Sequence, residues 1–500
     1  MNMSGQQKKI IVIGAGLGGM SAAISLAAEG YDVEIFEKND KVGGKLNILH
    51  RDGFTFDMGP SILTLPQIFE DLFARAGESF ADSLPLRDLD PQWRNFFEDG
   101  RTFDLFFDQD KMRAEVRRFD PSIEKGFFDF IEYSGRQYDF IEKGYFKHGL
   151  DTIRDFARFY PLSDMKDFDL LRTMHQSTKR FIKNDQVVDV MDYFIKYVGS
   201  SALVSPGFMN LMPTIQFRFK LWYIDGGMYL LANAMKKLLD KLGVRVHLGA
   251  EVARMTKQGR TISGIELKSG EQVPADYVVS NMETLPAYEK LLGEDAQFMN
   301  TIKRFEPACS GLILDLGVSK RYPQLAHHNF FFSKDQRKHF NTVFKKHELP
   351  EDPTIYLVAA SRTDPTVAPE GCENIKILPH IPYINEENPL TENDYLAFKE
   401  RVVDKLERMG LTDLRKNTIT EHVWTPLDIQ KNYYSNKGSI YGVACDRFKN
   451  FALKTPKRSG KYDNLFFVGG SVNPGGGMPM VTLCGQLVAD KLIEVDRAAD

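Results

Sequence analysis

The residues of this chain with chemical potential are three clusters of glycines and one well-placed carboxylate. The first cluster, Gly14-Ala15-Gly16-Leu17-Gly18-Gly19, follows the apolar run Ile10-Ile11-Val12-Ile13. That order predicts a strand, a tight turn and a helix from Met20 to Gly30. Gly14 suits the turn, Gly16 leaves room for a pyrophosphate against the backbone, and Gly19 lets helix and strand pack closely. The helix start presents unpaired N–H groups and partial positive charge to the phosphates. A second strand, Tyr31 to Phe36, leads to Glu37 and Lys38. The Glu37 carboxylate can accept both ribose hydroxyls and would repel a 2′-phosphate, which points to an adenine dinucleotide other than an NADP type.

The second cluster says which dinucleotide. Val42-Gly43-Gly44-Lys45 and Phe56-Asp57-Met58-Gly59-Pro60-Ser61 come next. A flavin needs such a second stretch without Cβ atoms, because its pyrophosphate and ribityl chain run past it. The third cluster lies near the other end: Leu465-Phe466-Phe467-Val468 into Gly469-Gly470-Ser471, then Gly475-Gly476-Gly477-Met478-Pro479. A helix is expected from Met478 to Val495, with Pro479 in its first turn, where a missing N–H costs nothing. FAD is the expected cofactor.

These elements have to be assembled from separated pieces. Residues 1–75, 225–290 and 455–500 are expected to form a discontinuous Rossmann-type FAD-binding domain of the α/β class. The middle piece is Gly226-Gly227, a helix from Met228 to Leu242, a strand from Val244 to Leu248, an alternation through Val252 and Met255, and a strand at Tyr277 to Ser280. Residues 76–109 and 291–454 are expected to form a second, mixed-sheet substrate domain. Its strands are Gly311 to Gly317, Thr354 to Val358 and Ile375 to Leu378, with a helix from Leu396 to Met409. Residues 110–224, with Phe127-Phe128, Phe130-Ile131, Phe140-Ile141 and Tyr145-Phe146 at helical spacing, are expected to be a helical subdomain facing a membrane.

With Gly14–Gly19, Gly43-Gly44-Lys45, Phe56 to Ser61 and Gly469 to Gly477 in view, the chain resembles the bacterial phytoene-desaturase-type carotenoid flavoenzymes over essentially its whole length. Pro91 to Phe97, Glu142 to Phe146, Ile195 to Ser201, His327 to Phe332 and Val423 to Pro426 are most similar to the branch that oxidises thirty-carbon carotenoids at a terminal methyl. The resemblance implies FAD contacts at Gly14, Ala15, Gly16, Leu17, Gly18, Gly19, Glu37, Lys38, Gly43, Gly44, Lys45, Gly59, Pro60, Ser61, Val252, Gly469, Gly470, Ser471, Gly477 and Met478. It implies a lipophilic carotenoid substrate and an enzyme in the cytoplasm, held peripherally on the inner face of the cell membrane. Two departures stand out. Gly469-Gly470 replace an aspartate common in related flavoproteins, so backbone N–H groups must serve the ribityl chain. Lys45 replaces a frequent arginine, giving a point charge for phosphate instead of a fork.

Composition narrows the alternatives. A chain of 500 residues implies two or three domains. A net charge of −4, mixed along the chain, carries no nucleic-acid signature. Cys309, Cys372, Cys445 and Cys484 are unpaired in spacing and read as reduced thiols, and no metal site is expected. Met1 to Lys9 is polar with no apolar signal core, and no apolar run is long enough to span a bilayer. No catalytic acid or base is assignable. Asp57 reads first as a turn cap, His327 and His328 as satisfied strand-end histidines, Trp222 and Tyr223 as core or stacking residues, and Glu142 with Lys143 as a solvated helix pair. Phe127 to Leu150 and Leu203 to Tyr223 mix aromatic and basic residues, as an interfacial segment or an ordinary core helix would. The competing functions are a carotenoid desaturase or isomerase, an amine oxidase, and a non-catalytic pigment-binding protein.

Overall fold

The computed structural model describes residues 7–160, 168–450 and 452–499. Met1 to Gln6 and residues 161–167 of the expected helical segment lie outside them. Ile10, Ile11 and Val12 are completely buried, as expected for a β-branched run covered on both faces of a parallel sheet. That sheet has five parallel strands in the order Leu465–Phe467, Tyr277–Ser280, Lys9–Ile13, Asp32–Phe36 and Arg245–His247. The helix runs Leu17–Ala28 instead of Met20 to Gly30, so Gly18 and Gly19 lie inside its first turn. It packs against the C-terminal helix Met478–Ala499 so closely that a Cβ on Gly485 would lie 2.6 Å from the Gly18 carbonyl oxygen.

A second sheet stacks Thr418–Trp424, Ile313–Val318, Glu373–Ile381, Ile355–Val358, His328–Phe331, Trp93–Phe96 and Thr102–Leu105, with Ser310–Gly311 paired to Glu373–Ile381. Its pairs are antiparallel except His328–Phe331 with Trp93–Phe96. The period of two sorts its faces. Ile375 and Ile377 pack with Tyr395, Phe398, Val402 and Leu406 of the helix Glu392–Arg408. Lys376, Leu378 and His380 line a cavity on the other side.

The helices Glu124–Ile141 and Met212–Phe219 give Ile141, Met212 and Ile215 to that cavity, while Met174–Phe181 packs on Glu124–Ile141 and Asp185–Asp192 on Met174–Phe181. Phe127, Phe130, Tyr133, Tyr138 and Ile141 are buried, as are Leu211, Met212 and Tyr223. The apolar stripe of Glu124–Ile141 packs against Met212–Phe219 and the turn Gly207–Leu211. Among the described residues no helix is long and apolar enough to cross a membrane. The four cysteines are free, three of them buried.

Candidate active site

The three glycine clusters meet around a single cavity of about 470 Å³. Gly16 and Gly43 form a parallel bridge, and the Gly43 N–H donates to the Ala15 carbonyl at 2.8 Å. A Cβ on Gly44, whose φ is +59°, would lie 3.0 Å from the Gly16 Cα. A Cβ on Gly18 would lie 3.2 Å from the Gly469 N atom, which joins the third cluster to the first. Gly14, Gly16, Leu17, Gly18, Gly43, Gly44, Gly469, Gly470, Gly477 and Met478 line the cavity, together with Val252 at the start of the strand Val252–Gln258. Ala15, Gly19 and Ser471 do not. Ala15 contributes its N–H to Glu37, Gly19 backs onto the Gly14 carbonyl, and the Ser471 hydroxyl accepts from the Thr284 N–H at 3.0 Å.

Glu37 is buried with both oxygens anchored. One accepts from the Ala15 N–H at 2.8 Å and the other from the Asn39 N–H at 2.9 Å. Each carboxylate oxygen keeps a lone pair for a hydroxyl. The adjoining helix starts at Gly16, which supplies no side-chain cap, so its first N–H groups are left for an anion. A carboxylate, an uncapped helix start and three stretches of Cβ-free backbone fit an adenine dinucleotide extended along this wall.

Lys45 and Lys38 both line the cavity. The Lys45 amine is paired with Glu283 at 3.2 Å and donates to the Ser439 carbonyl at 3.0 Å. Lys38 donates to the Lys431 carbonyl at 3.1 Å and lies over the Tyr434 ring. Gly59, Pro60 and Ser61 line the cavity, held by a residue that sequence reading passed over: the Lys376 amine donates to the Gly59 carbonyl and, at 3.1 Å, to the Ser61 hydroxyl. Burial pushes Lys376 down to about 8, against the pull of Asp315 and Asp57. Asn281 was also missed. It follows the strand Tyr277–Ser280 and lays its side chain along Gly14, Gly16 and Gly18. Alternation places Lys376 on a strand but cannot reveal which face is hollow, and Asn281 belongs to no local motif.

Asp57 behaves as a cap. It accepts from the Met228 N–H at 3.0 Å and the Tyr229 N–H at 3.3 Å, while burial raises it to about 6. His327 and His328 are buried outside the cavity lining, bonded to Thr363 at 2.8 Å and Tyr356 at 3.0 Å. Tyr223 is in the core, and the Trp222 indole donates to the Phe219 carbonyl at 2.8 Å. Glu142 begins a π-helical turn and accepts from the Tyr138 hydroxyl at 3.1 Å.

The wall opposite the glycines is mostly apolar and aromatic, with Lys196 and His380 among its polar side chains. Lys196, on the 3₁₀ turn Tyr193–Val198, is buried and lines the cavity, yet among the described residues its amine has no hydrogen bond or ion pair. It faces Tyr197 at 3.8 Å, Trp93 at 4.0 Å, Phe330 at 4.9 Å and Tyr356 at 5.5 Å. A desolvated cation–π contact is worth about 2 kcal/mol, against several kcal/mol for burying an uncompensated ion, so the neutral amine wins. Burial accordingly drives Lys196 well below its usual range.

A family model described as "Flavin containing amine oxidoreductase" matches residues 17–306. The chain is 56% identical to a protein of Methylomonas sp. named 4,4'-diapolycopene oxygenase, over 98% of this chain and 99% of that one. It is 48% identical to the 4,4'-diaponeurosporene oxygenase of Staphylococcus aureus strain USA300, over 97% and 98%. Among solved structures, a putrescine oxidase variant superposes with a TM-score of 0.65 at 13% identity, covering 98% of this chain and 99% of that one. An oxidoreductase from Methanosarcina mazei gives 0.62 at 14%, covering 96% and 100%. At such identity these structures speak for the fold alone. A glycine-built dinucleotide cradle, the family match and near-full-length relatives lead to one conclusion: the chain belongs to the flavin-containing amine oxidoreductase family and is an FAD-dependent oxidoreductase.

Proposed function

We propose that this enzyme oxidises a terminal methyl group of a thirty-carbon carotenoid, 4,4'-diaponeurosporene or diapolycopene, to an aldehyde. The observation that carries the reading is a cavity that leaves the glycine cradle and continues between Ile141, Phe146, Phe168, Phe208, Met212 and Ile215, in a chain with 56% identity to a protein of that name. A polyene has no polar handle, so such a wall binds it by apolar contact and excludes water. Its terminal methyl is allylic to the conjugated chain, and a hydride lost there leaves positive charge spread over many carbons. Bound FAD supplies the two-electron oxidising power. Two rounds, each removing two electrons and adding one oxygen atom from dioxygen or from water that traps the cation, with the cofactor reoxidised by an external acceptor between them, give a hydrate that loses water to the aldehyde. The chain's part is to hold the polyene end on, dry and against the cofactor wall. In this reading residues 1–75, 225–290 and 455–500 hold FAD, 76–109 and 291–454 hold substrate, and 110–224 cap the substrate passage.

The test is mass spectrometry of pigments from cells that accumulate diaponeurosporene and express this chain. A new terminal aldehyde is expected. Lengthened conjugation from diapophytoene without oxygen would replace the reading with a desaturase. Pigment bound anaerobically without flavin bleaching would replace it with a carrier.

The substrate resides in lipid, and the docking point we assign is Leu171 with Phe448, 90% and 74% exposed. The Arg447 guanidinium donates to the Leu171 carbonyl at 2.6 Å, bringing the two side chains to one tip, and Leu170 beside it lines the cavity. Arg172 and Lys449 flank the tip, paired with Asp169 at 3.5 Å and Glu306 at 2.5 Å. The double variant Leu171→Asp, Phe448→Asp is expected to lower partitioning to anionic liposomes by ~10-fold or more, since each buried side chain contributes about 1.5–3 kcal/mol. Undiminished flotation would remove the assignment.

A further inference from the structure

A hydrocarbon substrate gives no reason for a polar group in its passage, yet unpartnered ones line it. Among the described residues the Lys196 amine meets aromatic faces without a hydrogen bond, and His380 leaves Nε2 without a hydrogen-bond partner. Both side chains are more than nine-tenths buried and both border the cavity. They come from different elements, Lys196 from the turn Tyr193–Val198 and His380 from the strand Glu373–Ile381, and Lys196 acts electrostatically on His380. Their location is also specific. A Cβ on Gly477 would meet nothing within 4 Å except the Tyr197 carbonyl at 3.9 Å, so this part of the passage borders the start of the helix Met478–Ala499.

We propose that Lys196 and His380 form a hydroxyl-binding pole that retains the alcohol-bearing end of the half-oxidised polyene, so that one carbon is oxidised twice before release. The inference rests on the oxygenase reading above. Burial keeps both groups neutral, Lys196 far below its usual range and His380 near 3. A neutral amine offers a lone pair as well as N–H donors. The Tyr193 hydroxyl lies 3.1 Å from His380 Nδ1. When it donates there, the imidazole proton sits on Nε2, a buried donor without a partner. One acceptor and one donor complement an alcohol, which donates through its hydrogen and accepts through its oxygen. A methyl end leaves both unpaired in a dry site, the situation buried polar groups pay for most. The pole therefore prefers the first product over the starting hydrocarbon, and no bond is made or broken in holding it.

The decisive measurement is equilibrium binding to wild-type holoenzyme without oxygen, comparing diaponeurosporene with its terminal primary alcohol by quenching of protein fluorescence. The alcohol is expected to bind ~10-fold more tightly, the worth of one to two buried hydrogen bonds. Equal or weaker binding overturns the proposal. Lys196→Met should abolish the preference and raise the alcohol-to-aldehyde product ratio by ~10-fold whatever the total turnover, while Lys196→Gln, which keeps a donor and an acceptor, should raise it less. An unchanged ratio in Lys196→Met with flavin retained also overturns it. Should a variant fail to fold, the wild-type comparison still decides. Wild-type enzyme that oxidises no hydrocarbon would end the oxygenase reading, whereas the binding preference is read without turnover.

Discussion

The two walls of the cavity are built on opposite principles. The glycine wall is backbone: Gly16, Gly43, Gly44 and Gly469 meet main chain to main chain, and Glu37 is tied by two amide N–H groups. The far wall is side chain: aromatic rings, methionines and a caged lysine from segments far apart in sequence. A backbone wall tolerates no new atoms but is indifferent to which apolar residues surround it. A side-chain wall tolerates exchange and owes its selectivity to a few polar atoms. The first kind keeps a fixed cofactor, and the second can be retuned for a different polyene.

The strongest way to break this contrast is Gly44→Val. It forces a β-branched residue to φ +59° and drives a Cβ to within 3.0 Å of the Gly16 backbone, so about 3 kcal/mol of strain and ~100-fold weaker FAD binding are expected. Full flavin absorbance in the purified variant, with circular dichroism unchanged, would show that the wall is looser than described. A milder probe is Glu37→Gln, which retains a carbonyl acceptor but loses the charge. Charged hydrogen bonds exceed neutral ones by about 1 kcal/mol, so ~5-fold weaker FAD binding is expected by titration of apoprotein. No change would mean that the carboxylate serves only Ala15 and Asn39.

The smallest effect sharpens the far wall. Asp192, immediately before the Tyr193–Val198 turn that carries Lys196, contacts His175 Nδ1 at 2.5 Å. That hydrogen bond raises the histidine above its ordinary value. Protonated His175 therefore stabilises the fold below about pH 6.5, and the contribution disappears as pH rises through the elevated folded value. About 1 kcal/mol or less is expected, discounted for partial exposure, as a fall in urea midpoint from pH 6 to pH 9 that His175→Gln lacks. An equal fall in the variant would assign the trend to other groups.

The same contrast explains what could be read from sequence. Gly14 to Gly19 and Gly469 to Gly477 were legible because a close backbone approach dictates residue type locally. The strands Tyr277–Ser280 and Lys9–Ile13 were legible because a doubly covered strand must be a continuous apolar run. The Lys45–Glu283 pair was not legible because its two residues lie 238 positions apart. Phe127 to Leu150 and Leu203 to Tyr223 left an interfacial segment and a core helix both open, because helical spacing reports an apolar stripe without saying whether protein or lipid covers it. Lys196 gave no signal at all: a lysine between Ile195 and Tyr197 is ordinary until Trp93 and Phe330 close around it.

The strand order of the parallel sheet has a consequence for biosynthesis. Lys9–Ile13 has Tyr277–Ser280 as its neighbour, and that strand in turn pairs with Leu465–Phe467. A nascent chain stopped short of Leu465 lacks an edge strand and the helix that packs on Leu17–Ala28, so the coenzyme cradle closes only after that distant segment has been made.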